Sequence, residues 1–329
     1  MKIGVVGGGL IGRSWAVAFA RAGCQVAVHC RSSSQAQELR AWVTNTCNDL
    51  RKYGLQEEGA EALLGRVECV TDLERAVAGA DFVQENLPED TALKREIFGL
   101  LERHAPADAT LASSTSALPA SAFASELASR HRCLVAHPVN PPHLVPLVEI
   151  VPAPWTDPVH MQRTQALMQG IGQVPIIVTQ EIPGFVLNRL QAALLAEAWR
   201  LVEDGVASAD DVDKAVRDGL GLRWAFIGPF ENGDLNAPDG IGDYARRYGG
   251  MLRGLCESMG APRVWGEALI ARVERERRAL LPLVRQPERM RWRDTRLMAL
   301  RALKGDYRGE SATAAASQDP THAGAMPWK

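Results

Sequence analysis

No stretch of the chain approaches the roughly 20 consecutive apolar residues that a membrane-spanning helix needs, so no membrane partner is expected. Charge of one sign is lacking too. Lys and Arg number 37 against 39 Asp and Glu, a formal net charge of -2, which provides no electrostatic footprint for nucleic acid or an acidic lipid surface. The expected partners are therefore small molecules, with no nucleic acid among them. Cysteine is scarce and scattered: Cys24, Cys30, Cys47, Cys69, Cys133 and Cys256 form neither a CxxC pair nor a regular framework. That pattern speaks against a zinc site or a disulfide scaffold and for free thiols in a reducing compartment. No metal is expected. The opening MKIGVVGGG lacks the basic segment, apolar stretch and cleavage site of a secretory signal, so the expected location is cytoplasmic.

What remains is an ordinary globular composition, 46% hydrophobic and 23% charged over 329 residues, enough for two domains with a core each. Short apolar runs at residues 3–6, 26–28, 82–83, 111–112 and 134–136 alternate with amphipathic stretches, the rhythm of βαβ units on a parallel sheet. Residues 176–178 read as a late strand, and the EIPG turn at 181–184 closes this pattern. Beyond it, Leu187, Leu190, Leu194, Trp199 and Val202 recur at helical spacing and strand-like alternation disappears. The arginine-rich segment 271–304 is interleaved with Glu274, Glu276, Glu288 and Asp294. It reads as a solvated amphipathic surface or subunit contact rather than a nucleic-acid helix.

The sequence GGGLIG at 7–12 follows the first strand and opens a helical stretch, the context in which GxGxxG signals a dinucleotide phosphate cradle. Gly7 permits the tight turn, Gly9 lets the backbone approach a pyrophosphate and Gly12 packs helix against sheet. The backbone of Leu10 and Ile11 then faces the anion at a helix N-terminus. The expected fold class is α/β. An N-terminal Rossmann-type parallel-sheet domain spans 1–182, an all-helical C-terminal domain spans 183–308, and a flexible tail spans 309–329.

NAD sites usually end the second strand with an acid that holds the ribose 2'-hydroxyl. Here CRSSS at 30–34 stands in its place. Arg31 and Ser32 offer a cation and a hydroxyl where a 2'-phosphate would sit, which suggests NADP. Alternatively, Arg31 stacks over adenine and the serines start a helix.

The segment HPVNPPHLVPLVEIV at 137–151 delivers a histidine and a carboxylate on two apolar runs. Together with SSTS at 113–116 and PGFVLNRL at 183–190, it resembles the 3-hydroxyacyl-CoA dehydrogenase family, up to about Leu300. With DGLGLRWAFIGP at 218–229, the chain looks most like the L-gulonate 3-dehydrogenase and lambda-crystallin branch. The resemblance implies His137 as general base and Glu149 as its orienter, with Ser116 and Asn188 on the reacting oxygen. Alcohol oxidation needs a base with a pKa near neutrality, which suits a histidine. It also places Glu89, Lys94, Ser116 and Asn140 against the nicotinamide half of the cofactor, makes NAD the default, and implies a homodimer through the helical domain. Cys30 departs from the family's acid.

Acyl-CoA substrates call for cations near the helical excursion after the second strand. Here Arg40, Arg51, Lys52 and Arg66 are offset by Asp49, Glu57, Glu58 and Glu61. A free hydroxy acid, L-gulonate-like, is thus expected ahead of an acyl-CoA, with Arg223 on a glycine-flanked turn binding its carboxylate through a bidentate fork. Carnitine is a third possibility, if Trp199, Trp224, Phe226 and Tyr244 form an aromatic cage. A non-enzymatic crystallin-like role is the fourth.

Overall fold

A computed structural model describes residues 1–316, with side chains to residue 305. Eight strands, β1 (Lys2–Val6), β2 (Gln25–His29), β3 (Val67–Val70), β4 (Phe82–Glu85), β5 (Thr110–Ser113), β6 (Cys133–Pro138), β7 (Leu147–Pro152) and β8 (Val174–Ile177), form one sheet in the order β3-β2-β1-β4-β5-β6-β7-β8. All neighbours are parallel except β6 and β7. The central strands are buried on both faces, which is why they read as unbroken apolar runs rather than as alternation. On one face, Trp15 and Phe19 of α1 (Leu10–Arg21) join Val26 and Val28 with Leu39, Val43 and Leu50 of α2 (Ser33–Lys52). On the other, Phe98 and Leu101 of the helix Thr91–His104 pack with Phe123 against Val83 and Leu111.

The chain leaves β1 toward β2 and β3, then returns to place β4 on the other side of β1. Helices diverge at that switch point, so the carboxyl ends of β1 and β4 border the crevice where open α/β sheets bind ligands. The antiparallel step from β6 to β7 sets His137 directly opposite Glu149 in register.

The second compact unit, Arg189–Trp292, is helical, as the periodicity predicts. Its small core holds Val202, Ala209 and Leu269, with Trp199, Val212 and Val273 packed against it. Many of its arginines are paired internally, among them Arg272 with Glu276 and Arg278 with Glu274, consistent with an amphipathic surface over the part of 271–304 that lies in this unit.

The first unit is Met1–Asn188 together with the chain from Arg293, which differs from the expected single division at 182. The final helix, Gln286–Ala316, returns to the sheet unit: Met298 is buried in its core, and Arg301 donates to the carbonyls of His143 (2.7 Å) and Gly172 (3.3 Å). Within the tail expected over 309–329, residues 309–316 continue this helix and 317–329 lie outside the described residues.

Candidate active site

The turn after β1 is built as the glycine spacing predicts. Gly7 adopts φ 96°, a conformation that side chains disfavour, and a Cβ on Gly12 would lie 1.8 Å from the Gly7 carbonyl oxygen. A Cβ on Gly9 would meet nothing within 4 Å, so the cradle opens outward there. The first amides of α1, those of Leu10 and Ile11 among them, lack intrahelical acceptors, and no acidic residue occupies the first turn. These residues fit a dinucleotide diphosphate.

At the end of β2, Cys30 is fully buried, and a Cβ on Gly8 would lie 3.0 Å from its sulfur. Burial, together with neighbouring Cys69, pushes the Cys30 thiol up to about 11, so it stands neutral where an acid was absent from the sequence. Ser32 caps α2, its Oγ accepting from the Gln35 amide at 3.2 Å and lying 2.9 Å from Ser34 Oγ. The helix-start reading therefore holds for Ser32. Arg31 is exposed, its backbone amide donating to Gln35 Oε1, and its guanidinium has no partner among the described residues.

His137 and Glu149 form the buried pair at the sheet's antiparallel step. His137 Nδ1 lies 2.7 Å from Glu149 Oε2, and Glu149 Oε1 accepts from the amides of Val186 (2.8 Å) and Leu187 (2.9 Å) at the start of the helix Leu187–Glu203. Burial works to raise the Glu149 carboxyl, yet the hydrogen bonds from His137 and from the Leu187 and Val186 amides outweigh it and hold the carboxyl below its ordinary value. An ionised carboxylate only accepts, so Nδ1 carries a proton; in the neutral ring Nε2 then keeps its lone pair. Nε2 has no hydrogen-bond partner among the described residues.

Asn188, next along that helix, donates from Nδ2 to the Ser116 carbonyl at 2.9 Å. Ser116 Oγ donates to Glu89 Oε1 at 2.8 Å, and Thr115 Oγ1 donates to Glu89 Oε2 at 2.7 Å. One bonded chain thus runs from His137 through Glu149, the Val186–Leu187–Asn188 backbone and Ser116 to Glu89. The Ser116 hydroxyl proton points to Glu89, and its oxygen keeps its acceptor lone pairs. Burial would raise the Glu89 carboxyl, but the bonds from Ser116 and Thr115 and the charge of Lys94 hold it low. Asn140 is exposed in the loop after β6, where its peptide bond to Pro141 is cis.

Lys94, expected against the nicotinamide half of the cofactor, is buried in an ion pair. Its Nζ lies 2.8 and 3.0 Å from the Glu85 carboxylate and 3.3 Å from Ser113 Oγ, with the two charged side chains 1% and 0% exposed. It braces the loops after β4 and β5 from beneath, which carry Glu89 and Ser116.

In the helical unit, Arg223 lies not on a turn but in the short helix Gly221–Trp224, directly after a π-helical stretch, Ala215–Leu220. A Cβ on Gly221 would approach the Val216 carbonyl oxygen to 2.8 Å, so the glycine serves close helical packing rather than a turn. Single π-helical insertions of this kind occur often at functional sites. Arg223 is exposed and unpaired among the described residues. Of the four aromatics weighed for a cage, Trp199 stacks on Trp265 with centroids 4.4 Å apart, and Tyr244 sits beside Tyr248 at 5.0 Å.

Two participants escape sequence reading. Phe185 is fully buried with φ 50°, a strained value for an aromatic residue, and its ring centroid lies 5.8 Å from that of His137. The preceding Pro-Gly pair was the available signal. Glu85, holding Lys94, reads in sequence only as a strand end.

A family model described as 3-hydroxyacyl-CoA dehydrogenase, NAD binding domain, matches residues 2–182, and one described as 3-hydroxyacyl-CoA dehydrogenase, C-terminal domain, matches residues 184–274. A lambda-crystallin homolog of Bos taurus is 44% identical over 306 residues, covering 92% of this chain and 95% of its own length. A 3-hydroxyacyl-CoA dehydrogenase of Gibberella moniliformis is 34% identical over 92% of this chain and 94% of its own. Among solved structures, the FHMPC 5-dehydrogenase, described as an NAD+ dependent dismutase, superposes with a TM-score of 0.79 at 27% identity, over 92% of this chain and 97% of that one. The two family models follow one another along the sequence as the sheet and helical parts do, and the chain belongs to the 3-hydroxyacyl-CoA dehydrogenase family of NAD-dependent oxidoreductases.

Proposed function

We propose that the protein oxidises the 3-hydroxyl of a small, L-gulonate-like hydroxy acid to the 3-keto acid, with NAD or NADP as cofactor. The observation that carries this reading is the buried His137 and Glu149 pair, whose proton arrangement leaves Nε2 of the histidine as a base. The hydroxyl proton of the substrate passes to Nε2 as the carbon loses its hydride, and Glu149 stabilises the imidazolium that results. Asn188 holds Ser116, and Ser116 holds Glu89, so the loop bearing these groups stays in place. The glycine cradle, with the amides of Leu10 and Ile11, would hold the dinucleotide, whose nicotinamide supplies the hydride acceptor when bound.

A free acid is favoured over an acyl-CoA because two of the four cations of the α2 region are already paired: Lys52 with Asp49 at 2.8 Å and Arg66 with Glu58 at 2.5 Å. The runner-up remains an acyl-CoA. Arg223 is assigned to the substrate carboxylate, as a charge-assisted contact worth on the order of 1.5 to 3 kcal/mol. Arg223→Met should therefore lower kcat/KM for the acid at least about tenfold while changing activity on an uncharged ester or amide little, and lysine should rescue only in part. Equal losses on acid and neutral analogue would assign Arg223 to folding or domain closure instead.

NADP acceptance is supported by the exposed Arg31 and by the uncharged Cys30, which presents no anion to repel a 2'-phosphate. Kinetics with both cofactors should give NADP values comparable to NAD, and Arg31→Ala should weaken NADP selectively. A wild-type preference for NAD above about a hundredfold, about 2.7 kcal/mol, would refute this reading. The proposed assembly is a homodimer through the helical unit, supported by exposed apolar side chains there, among them Leu190, Phe230, Met251 and Leu255.

A further inference from the structure

Two buried polar residues take no part in the site described above. Ser14, in the second turn of α1, has no exposure, and His143, in the link between β6 and β7, is 6% exposed. A serine inside a helix is a poor helix former unless its hydroxyl finds a partner. Here Ser14 Oγ accepts from the His143 amide at 3.2 Å and lies 2.6 Å from His143 Nδ1. The hydroxyl has two acceptor lone pairs and one proton, so it can serve the amide and Nδ1 at once in either tautomer of the ring. Burial, and then the charges of Arg21, Arg301 and Arg13, push His143 down to about 3, so the ring remains neutral at any ordinary pH.

The same residue is held from three further directions. Its carbonyl accepts from Arg21 of α1 at 3.3 Å and from Arg301 of the final helix at 2.7 Å. Trp42 of α2 meets its ring edge-on with centroids 5.3 Å apart. Gln173 donates to the adjacent Pro142 carbonyl at 3.2 Å. The link at 139–146 is therefore fastened to α1 through His143, by Ser14 and by Arg21. That helix forms the phosphate cradle with its first turn, and Ser14 lies two residues beyond Gly12. The link itself carries Asn140 and begins two residues after His137.

We propose that Ser14 and His143 form a positioning clasp that couples dinucleotide occupancy of the α1 cradle to the placement of the 139–146 link, and through it to Asn140 and His137. A shift at the helix start moves Ser14 with it, because both belong to one hydrogen-bonded helix, and the paired bonds to His143 transmit the shift. The clasp rests on dinucleotide binding by the family's N-terminal domain and is independent of which hydroxy acid is oxidised.

Amide hydrogen exchange with and without saturating NADH, together with titration of NADH fluorescence, tests the coupling in the full chain. In the wild type, NADH should slow exchange across 139–146. In Ser14→Ala and His143→Phe, exchange there should be faster in the free protein, the NADH-dependent protection of that segment should vanish while protection of residues 7–12 persists, and the Kd for NADH should rise about tenfold. Ser14→Thr keeps the hydroxyl and should restore the protection, which a general loosening of packing would not predict. The proposal is overturned if the two variants keep wild-type protection and a Kd within about twofold. A wild type that shows no NADH-dependent change at 139–146 overturns it as well, and that comparison needs no variant to fold. A chain that binds NADH but oxidises no hydroxy acid would refute the proposed substrate and leave the clasp standing.

Discussion

His137→Ala is expected to lower kcat by about 100 to 10,000-fold, the usual loss when a general base is removed, with NADH binding retained. The ring sits opposite Glu149 on the antiparallel step, 2.7 Å from its carboxylate, while the dinucleotide cradle lies at the end of β1. Removing the imidazole therefore takes away the proton acceptor without touching the residues that hold the diphosphate. Steady-state turnover and NADH fluorescence, measured on one preparation, separate the two effects. A variant that keeps more than about a tenth of wild-type kcat would remove His137 from the role of base.

Glu149→Gln should be as damaging, for a reason that lies in the bonding pattern. Both carboxylate oxygens act as acceptors, one for His137 Nδ1 and the other for the amides of Val186 and Leu187. A glutamine has one oxygen and one NH2 group to divide between these donors. If the oxygen meets the two amides, the NH2 group donates to Nδ1, which moves the ring proton to Nε2 and leaves no base. If it faces His137 instead, two buried amides lose their acceptor, each at about 1 to 3 kcal/mol. The expected loss in kcat is on the order of 10,000-fold, the size seen when the same tautomer exchange is forced on a serine protease triad. Glu149→Asp, which keeps both acceptors on a shorter stem, should retain more activity than the glutamine variant. The reverse order would point to a steric role for Glu149.

Much of this arrangement was legible in the sequence because the constraints are local. The glycine spacing at 7–12 encodes a backbone path, and Gly7 and Gly12 occupy positions that a side chain could not. The two apolar runs around His137 and Glu149 became a facing strand pair. The rest depended on contacts between distant residues. Lys94 read as a contact to the nicotinamide half by resemblance, and nothing near it in sequence reveals that Glu85 and Ser113 enclose it. Arg223 read as a turn residue because Gly219 and Gly221 flank it, yet Gly221 fits a close pass of the Val216 carbonyl inside a helix. The final helix read as part of the helical domain by periodicity, while its burial against the sheet unit rests on Met298 and Arg301, whose partners lie more than a hundred residues away. Ser32 read as a cofactor contact by position, and its capping bond to Gln35 is a three-residue signal that the sequence left open.

His137, oriented by Glu149, is proposed to take the proton of a free 3-hydroxy acid. The most direct measurement is kcat/KM for L-gulonate and for 3-hydroxybutyryl-CoA, each with NAD and with NADP, followed by absorbance of the reduced cofactor in wild type and His137→Ala. The expected result is turnover of the free acid in the wild type, well above that of the thioester, and its collapse in the variant. Strong wild-type activity on the thioester with none on the free acid would contradict the account.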